Sequence, residues 1–261
     1  MKIAAAQLTS APADIPANIR RLATLAEQAR DQGAELLVLP ELALTGYELE
    51  ALAHDPSLLV ADADDPRLDA LRSTGIATVL NCAVSTGGPG TRPAIGTFVH
   101  GPDGALLTTY LKQHLHEQEN AVFTPGDRDG RFELGGLRFA LATCYDSHFP
   151  DLPARAAADG CEVYLASTLY GTGDGITQRA TIYPRMAEDT GLFVALANHV
   201  GPSGPWTGCG RSAIWAPDGA LLAEADDRTP MVVTAEVGRA PGGQSTVTPP
   251  PPPGGRPSPT G

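Results

Sequence analysis

The sequence predicts a layered α/β domain. Three observations carry that reading. The chain opens on an apolar run, a helically periodic stretch and a second apolar run; that alternation recurs along most of the chain; and 261 residues suffice for one substantial core. A hydrophobic content of 42% with 18% charged residues belongs to a globular chain rather than a disordered one.

Ile3 to Leu8 is short and apolar, as a strand buried on both faces is. Ile15, Ile19, Leu22, Ala26 and Ala29 then recur at alternating steps of four and three, the spacing of one helix face. Asp14 is placed to cap that helix and Gly33 to stop it. Leu36-Leu37-Val38-Leu39-Pro40 gives a second buried strand and completes a β-α-β unit. A helix from Pro66 to Gly75, capped by Asp65, precedes a strand at Ile76–Val84. Gly96–His100 and Ala105–Tyr110 flank Gly101-Pro102-Asp103-Gly104, whose turn chemistry predicts a hairpin. Phe139–Thr143 is a strand running straight into Cys144. A helix at Pro153–Asp159, a strand at Val163–Ala166, a helix over 176–190, a strand at Leu192–Ala197 and a second hairpin at Ser212–Ala223 follow. Pro102-Asp103-Gly104-Ala105-Leu106-Leu107 is echoed by Pro217-Asp218-Gly219-Ala220-Leu221-Leu222. Either two hairpins chose the same turn independently, or the chain holds two similar halves packed face to face.

Charge and cysteine usage exclude several classes. With 18 basic against 30 acidic residues, a net −12, the chain lacks the positive footprint of a nucleic-acid binder. Its apolar runs fall short of the roughly 18 residues of a membrane span, and its first residues show no signal-peptide core. Cys82, Cys144, Cys161 and Cys209 show neither CxxC pairing nor zinc spacing, so free thiols, a cytoplasmic location and no cofactor are expected. His114 and His116 are two apart, as a metal pair on a strand can be, but no third ligand cluster supports them and no metal is expected. Gly171-Thr172-Gly173-Asp174-Gly175 lacks the P-loop lysine and reads as a loop at a pocket mouth. Composition changes near Pro241, dividing the chain into a domain over 1–240 and a Pro/Gly-rich tail over 241–261.

Three reactive side chains follow strand ends: Glu41 after Leu36–Pro40, Cys144 after Phe139–Thr143 and Lys112 after the hairpin strand ending at Tyr110-Leu111. In open α/β sheets the functional crevice lies beyond the carboxyl ends of the strands, so the three can converge. Singly, each has a bland reading: a solvated carboxylate, a small core residue, a surface lysine.

The words around them match one family. Leu39-Pro40-Glu41-Leu42 with Thr45-Gly46-Tyr47, Tyr110-Leu111-Lys112-Gln113-His114-Leu115 with Phe123-Thr124-Pro125-Gly126-Asp127, and Thr143-Cys144-Tyr145-Asp146 with Phe149-Pro150 resemble the three boxes of the nitrilase (carbon–nitrogen hydrolase) superfamily. Arg185-Met186-Ala187-Glu188-Asp189, Ala197-Asn198-His199-Val200-Gly201 and Gly210-Arg211-Ser212-Ala213-Ile214 resemble its later elements, in the family's order, over about residues 1 to 238. The resemblance implies a four-layer α-β-β-α sandwich that pairs into a homodimer or larger homo-oligomer. It also implies a small-molecule amide substrate, Cys144 as nucleophile, Glu41 as general base and acid, and Lys112 as oxyanion stabiliser. A second glutamate follows the family's lysine box; counting back from Phe123 places it at Glu119, with Glu117 the alternative. The Tyr145 N–H is assigned as the second oxyanion donor, and Tyr47, His148, Tyr170 and Glu188 as substrate-binding residues.

The chemistry asks for these residue types. An amide carbon is a poor electrophile and needs a thiolate or base-activated nucleophile; a free thiol near pKa 8.5 needs a base beside it; the developing oxyanion needs fixed donors. Tyr145-Asp146 after the cysteine resembles the amidase and carbamoylase branches, where nitrile-cleaving members tend to carry Trp-Glu. Nitrile cleavage, N-carbamoyl hydrolysis, acyl transfer through the same thioester and a catalytically silent binding protein are the rival readings. Many members that act on carboxylate-bearing substrates place an arginine three or four positions after the cysteine; here those positions hold Ser147 and His148. Deleting residues 248–261, five of whose first six are proline, is expected to leave kcat/KM and Tm unchanged; a large loss of activity would assign the tail to the pocket or to an interface.

Overall fold

The computed structural model describes residues 1–88 and 90–238. The tail expected over 241–261 lies outside the described residues.

Fourteen strands form two six-stranded sheets and one small hairpin among the described residues. In the first half of the chain the elements are β1 (Lys2–Gln7), α1 (Ile15–Asp31), β2 (Leu36–Val38), α2 (Leu49–His54), α3 (Asp69–Arg72), β3 (Ala77–Val84), β4 (Ala94–His100) and β5 (Leu106–Leu111). The second half contributes β6 (Gly130–Leu134), β7 (Leu137–Thr143), α4 (Asp151–Ala158), β8 (Val163–Thr168), α5 (Asp174–Thr190), β9 (Phe193–Asn198), β10 (Val200–Ser203), β11 (Trp206–Cys209), β12 (Ala213–Trp215), β13 (Leu221–Glu224) and β14 (Met231–Glu236).

Period-two alternation builds four layers. Ile3, Ala5, Leu36 and Val38 face the opposite sheet, where Phe139, Leu141, Val163 and Leu165 meet them. The alternate residues Ala4, Ala6 and Leu37 face outward onto Ile15, Ile19 and Leu22 of α1. On the other side Ala140, Ala142 and Tyr164 pack beneath Ala156 of α4 and Tyr183 and Met186 of α5. The parallel strands at the centre of each sheet are therefore covered on both faces, which is why β1, β2, β7, β8 and β9 read as apolar runs. The result is the expected α-β-β-α sandwich. Asp14 caps α1 by accepting from Ala17 N–H at 2.9 Å, and Gly33 adopts φ +80 just beyond it.

The two sheets share one topology. Their orders are β14-β1-β2-β3-β4-β5 and β6-β7-β8-β9-β12-β13. In each, three parallel strands are flanked by an antiparallel hairpin on one side and a single antiparallel strand on the other. The PDGALL echo sits at the equivalent hairpin of each sheet. Gly101 N–H bonds Ala105 C=O at 2.8 Å in one turn, and Ala216 N–H bonds Ala220 C=O at 2.8 Å in the other. This decides the echo in favour of two similar halves.

The helix expected over 66–75 is instead a 3-10 turn at Pro66–Leu68 followed by the short α3. Asp65 accepts from Arg67 N–H at 3.0 Å and from the Arg67 guanidinium, which draws the first turn tight. Strands β6, β10, β11 and β14 and helix α2 carry Gly, Pro or mixed-polarity residues and gave no periodic signal. Among the described residues no helix is long and apolar enough to cross a membrane.

One close approach links this frame to the site. Gly126 N–H bonds the Lys112 carbonyl at 2.8 Å, and a β-carbon there would lie 2.5 Å from the Leu111 carbonyl oxygen. Gly126→Ala is expected to destabilise the fold by about 1–3 kcal/mol, the usual scale of overpacking, and to displace Lys112. Urea denaturation checks the first effect; an unchanged midpoint would show that the strand yields freely.

Candidate active site

At the carboxyl ends of the parallel strands a cavity of about 470 Å³ opens between the sheets, lined among others by Glu41, Tyr47, Glu119, Cys144, Tyr145, His148 and Tyr170. Seven of the residues singled out in the sequence thus meet in one place. Lys112 reaches the same point from beneath.

Lys112 is wholly buried. Its Nζ donates to Glu41 Oε1 and Glu119 Oε1, each at 2.7 Å. Burial works against the ammonium, and the Glu41 and Glu119 carboxylates outweigh it, holding Lys112 above its usual pKa. Glu119 is saturated: Tyr47 Oη donates to its Oε1 at 2.6 Å and His116 N–H to its Oε2 at 2.7 Å. Glu117, the alternative, points to solvent. Two of the three Nζ protons are therefore committed, leaving one for a ligand.

Glu41 is equally buried, and its Oε2 has no hydrogen-bond partner. Burial, offset in part by Lys112 and reinforced by the Glu119 charge, pushes its pKa up to about 7. The Cys144 thiol interacts with the same carboxylate electrostatically, while its Sγ donates to the Leu169 carbonyl at 3.8 Å. Burial and the Glu41 charge hold that thiol well above its ordinary pKa, so at rest it is protonated. The site thus pairs a neutral thiol with a base poised near neutrality.

Both turns are unusual. Leu42, directly after Glu41, and Cys144 itself adopt φ +48 and +46, a left-handed backbone that side-chain-bearing residues rarely take. On one side Asp146 fastens the cysteine turn. Its carboxylate accepts from Thr143 N–H at 3.0 Å, Tyr110 Oη at 2.6 Å and His114 N–H at 2.8 Å. It thereby ties the strand bearing Lys112 to the turn bearing Cys144. His114 Nδ1 lies 3.0 Å from the same carboxylate and its ring stacks on Phe149. His199 Nε2 lies 2.5 Å from the Glu41 carbonyl, and burial pushes its pKa down to about 4, so it is a neutral donor.

His148 sits on the pocket wall, 3.1 Å from Tyr170 Oη, and burial followed by the His116 and Lys112 charges lowers its pKa. It is uncharged at neutrality. Glu188 is not in the pocket: it is exposed on α5 beside the Gly219 turn, because its stretch of the helix faces the outer hairpin. Arg155 is held by Asp129 and Asp151, Arg179 by Glu224 and Arg211 by Asp227. None of these arginines reaches in, and among the described residues the wall carries neither arginine nor lysine. Trp206, from a hairpin the sequence did not announce, and Gln178 also line the mouth. Neither gave any signal; Asp146 lay unused inside the cysteine box.

A Glu-to-Gln mutant of the amidase from Nesterenkonia sp. AN1 has been solved showing the result of Michael addition of acrylamide at the active-site cysteine. It superposes with a TM-score of 0.81 at 30% identity over 90% of this chain and 92% of that one. A "hydrolase in pqqF 5′ region" of Pseudomonas protegens is 33% identical over 85% of this chain and 78% of its own length. An (R)-stereoselective amidase of a Pseudomonas species is 32% identical over 77% and 72%. The carbon-nitrogen hydrolase family model matches residues 2–244, and the chain belongs to that family.

Proposed function

We propose that the protein hydrolyses the C–N bond of small uncharged amides through a Cys144 thioester. The observation that carries this is the open, buried Glu41 Oε2 beside a protonated thiol, with one Lys112 proton unspent. As the Cys144 sulfur attacks the amide carbon, its proton passes to Glu41. The developing oxyanion takes the third Nζ–H of Lys112 and the Tyr145 N–H, donors already fixed before reaction. Glu41 then returns its proton to the nitrogen, the C–N bond breaks, and ammonia or an amine leaves a thioester. Water enters, yields a proton to Glu41 and attacks the thioester; the carboxylic acid departs and the thiol regains its proton.

A homodimer, a cytoplasmic location and the division into a hydrolase domain over 1–240 and a tail over 241–261 complete the proposal. Light scattering tests the first.

Ammonia release from a panel of amides, ureido compounds and nitriles separates this reading from its rivals. Cys144→Ala should abolish turnover, while Glu41→Gln and Lys112→Ala should each lower kcat by at least about a hundredfold. Iodoacetamide should label Cys144 before the three buried thiols. Labelling of Cys82, Cys161 or Cys209 that tracks with lost activity would overturn the assignment.

The base must be ionised to accept the thiol proton. With Glu41 near 7, kcat/KM should be full above that pH and fall tenfold per unit below it. An acid limb at 4 to 5 would mean that burial does not tune Glu41.

A wall that carries carboxylates and no arginine or lysine among the described residues sets the substrate range. A neutral aliphatic amide should match or exceed its ω-carboxylate analogue in kcat/KM. A tenfold advantage for the carboxylate, about 1.4 kcal/mol of transition-state binding, would refute the proposed preference.

A further inference from the structure

Asn81 lies within the apolar run of β3, wholly buried and outside the cavity lining. Its side chain is engaged at both ends. Oδ1 accepts from Leu42 N–H at 2.8 Å, and Nδ2 donates to Thr97 Oγ1 at 2.9 Å and Thr143 Oγ1 at 3.0 Å. Leu42 follows Glu41, and Thr143 precedes Cys144. From these contacts we infer that Asn81 is the positioning residue that sets the general base's turn and the nucleophile's turn in register with one another.

The local backbone explains why a side chain is needed there. Beyond β2 the chain still follows β3: Leu39 N–H bonds Val79 C=O at 3.1 Å, and Ala43 N–H bonds Asn81 C=O at 3.0 Å. Between them the chain departs from the ladder. Glu41 N–H turns instead to Thr168 C=O of the other sheet, at 3.4 Å, and Leu42 takes its left-handed conformation. The Leu42 N–H would then be a buried orphan, and the Asn81 amide oxygen replaces the missing strand partner. That obligate donor also fixes which end of the amide points where. The NH₂ group is left facing Thr143, on β7 of the opposite sheet. A leucine here would orphan the buried Leu42 N–H and strip a donor from the Thr97 and Thr143 hydroxyls, and an aspartate would add a charge to a site that already holds two carboxylates.

The role rests on the proposed Glu41–Cys144 chemistry, so the test reads that pair both with and without a substrate. Asn81→Ala and Thr143→Val should each slow iodoacetamide alkylation of Cys144 and lower kcat for a neutral amide by roughly tenfold or more, with KM within about threefold, since small misplacements at a reacting pair are costly. Thr143→Ser, which keeps the hydroxyl, should stay within about threefold of wild type. Thr97→Val, which removes an Asn81 contact that touches neither turn, should do the same. Should Asn81→Ala fail to fold, the Thr143 pair decides. Near-wild-type alkylation and kcat in Thr143→Val, or an equal loss in Thr97→Val, would overturn the inference. Absence of amide turnover by the wild-type protein would overturn the proposed function instead, while the alkylation series still reads the alignment.

Discussion

The buried ammonium of Lys112 is the constraint to which the rest of the site answers. Removing a cation from water costs several kcal/mol unless carboxylates and hydrogen bonds replace the lost solvation. Two carboxylates do so here, and the second has its own retinue in Tyr47 and the His116 N–H. One positive charge against two negative ones leaves an excess of one negative charge in a dry pocket. That excess weighs on Glu41, whose Oε2 is left bare. Burial raises the Glu41 pKa most, Lys112 pulls it back, and the Glu119 charge offsets part of that pull. The second glutamate therefore tunes the first as well as orienting the lysine.

The duplicated topology explains how the three groups meet. Ile3, Leu36 and Ala77 stand in register across the first parallel set, as Phe139, Val163 and Phe193 do across the second. Glu41 lies five residues beyond Leu36, and Cys144 five beyond Phe139. Equal offsets from these two rows carry each just past the carboxyl end of its strand, on facing sheets, where both line one cavity. They come from non-equivalent strands, however, and at the position matching Cys144 in the first sheet stands Leu8, wholly buried in the core. The halves share a frame, and only one end of each was fitted for chemistry. Around the strained turns at Leu42 and Cys144 the two sheets are bonded to each other, by Glu41 N–H on Thr168 C=O, Asn81 Nδ2 on Thr143 Oγ1 and Tyr110 Oη on Asp146.

Much of this was legible in the sequence, for reasons that also mark where legibility ended. Buried parallel strands are apolar on both faces, so β1, β2, β7, β8 and β9 announce themselves. Residues placed just past such strands are then candidates by position alone, which is how Glu41 and Cys144 stood out. Strands β10 and β11 contain Gly and Pro, and their pairing is decided by a tertiary contact, so Trp206 was invisible. Asn81 was hidden for the opposite reason: it interrupts a strand whose pattern is strong enough to absorb one polar residue. Glu188 failed because resemblance carries a residue's identity but not the face of α5 on which it lands.

A cysteine site can rest as an ion pair or as a neutral pair, and the surroundings of Cys144 favour the second. An imidazolium partner would stabilise a thiolate. His148 and His199 are both pushed toward the neutral form by burial, and the committed ammonium faces carboxylates rather than sulfur. The proton accordingly stays on sulfur until Glu41 takes it. A neutral thiol reacts sluggishly with oxidants and stray electrophiles, because the thiolate is the reactive form. In the proposed reaction, what restores reactivity is a substrate whose carbonyl oxygen meets the third Lys112 proton. As the sulfur's proton moves to Glu41, the negative charge passes from that carboxylate to the substrate oxygen, and the pocket's net charge is unchanged throughout. Beside two buried carboxylates and one buried ammonium, a reaction that creates no further charge avoids a further desolvation cost.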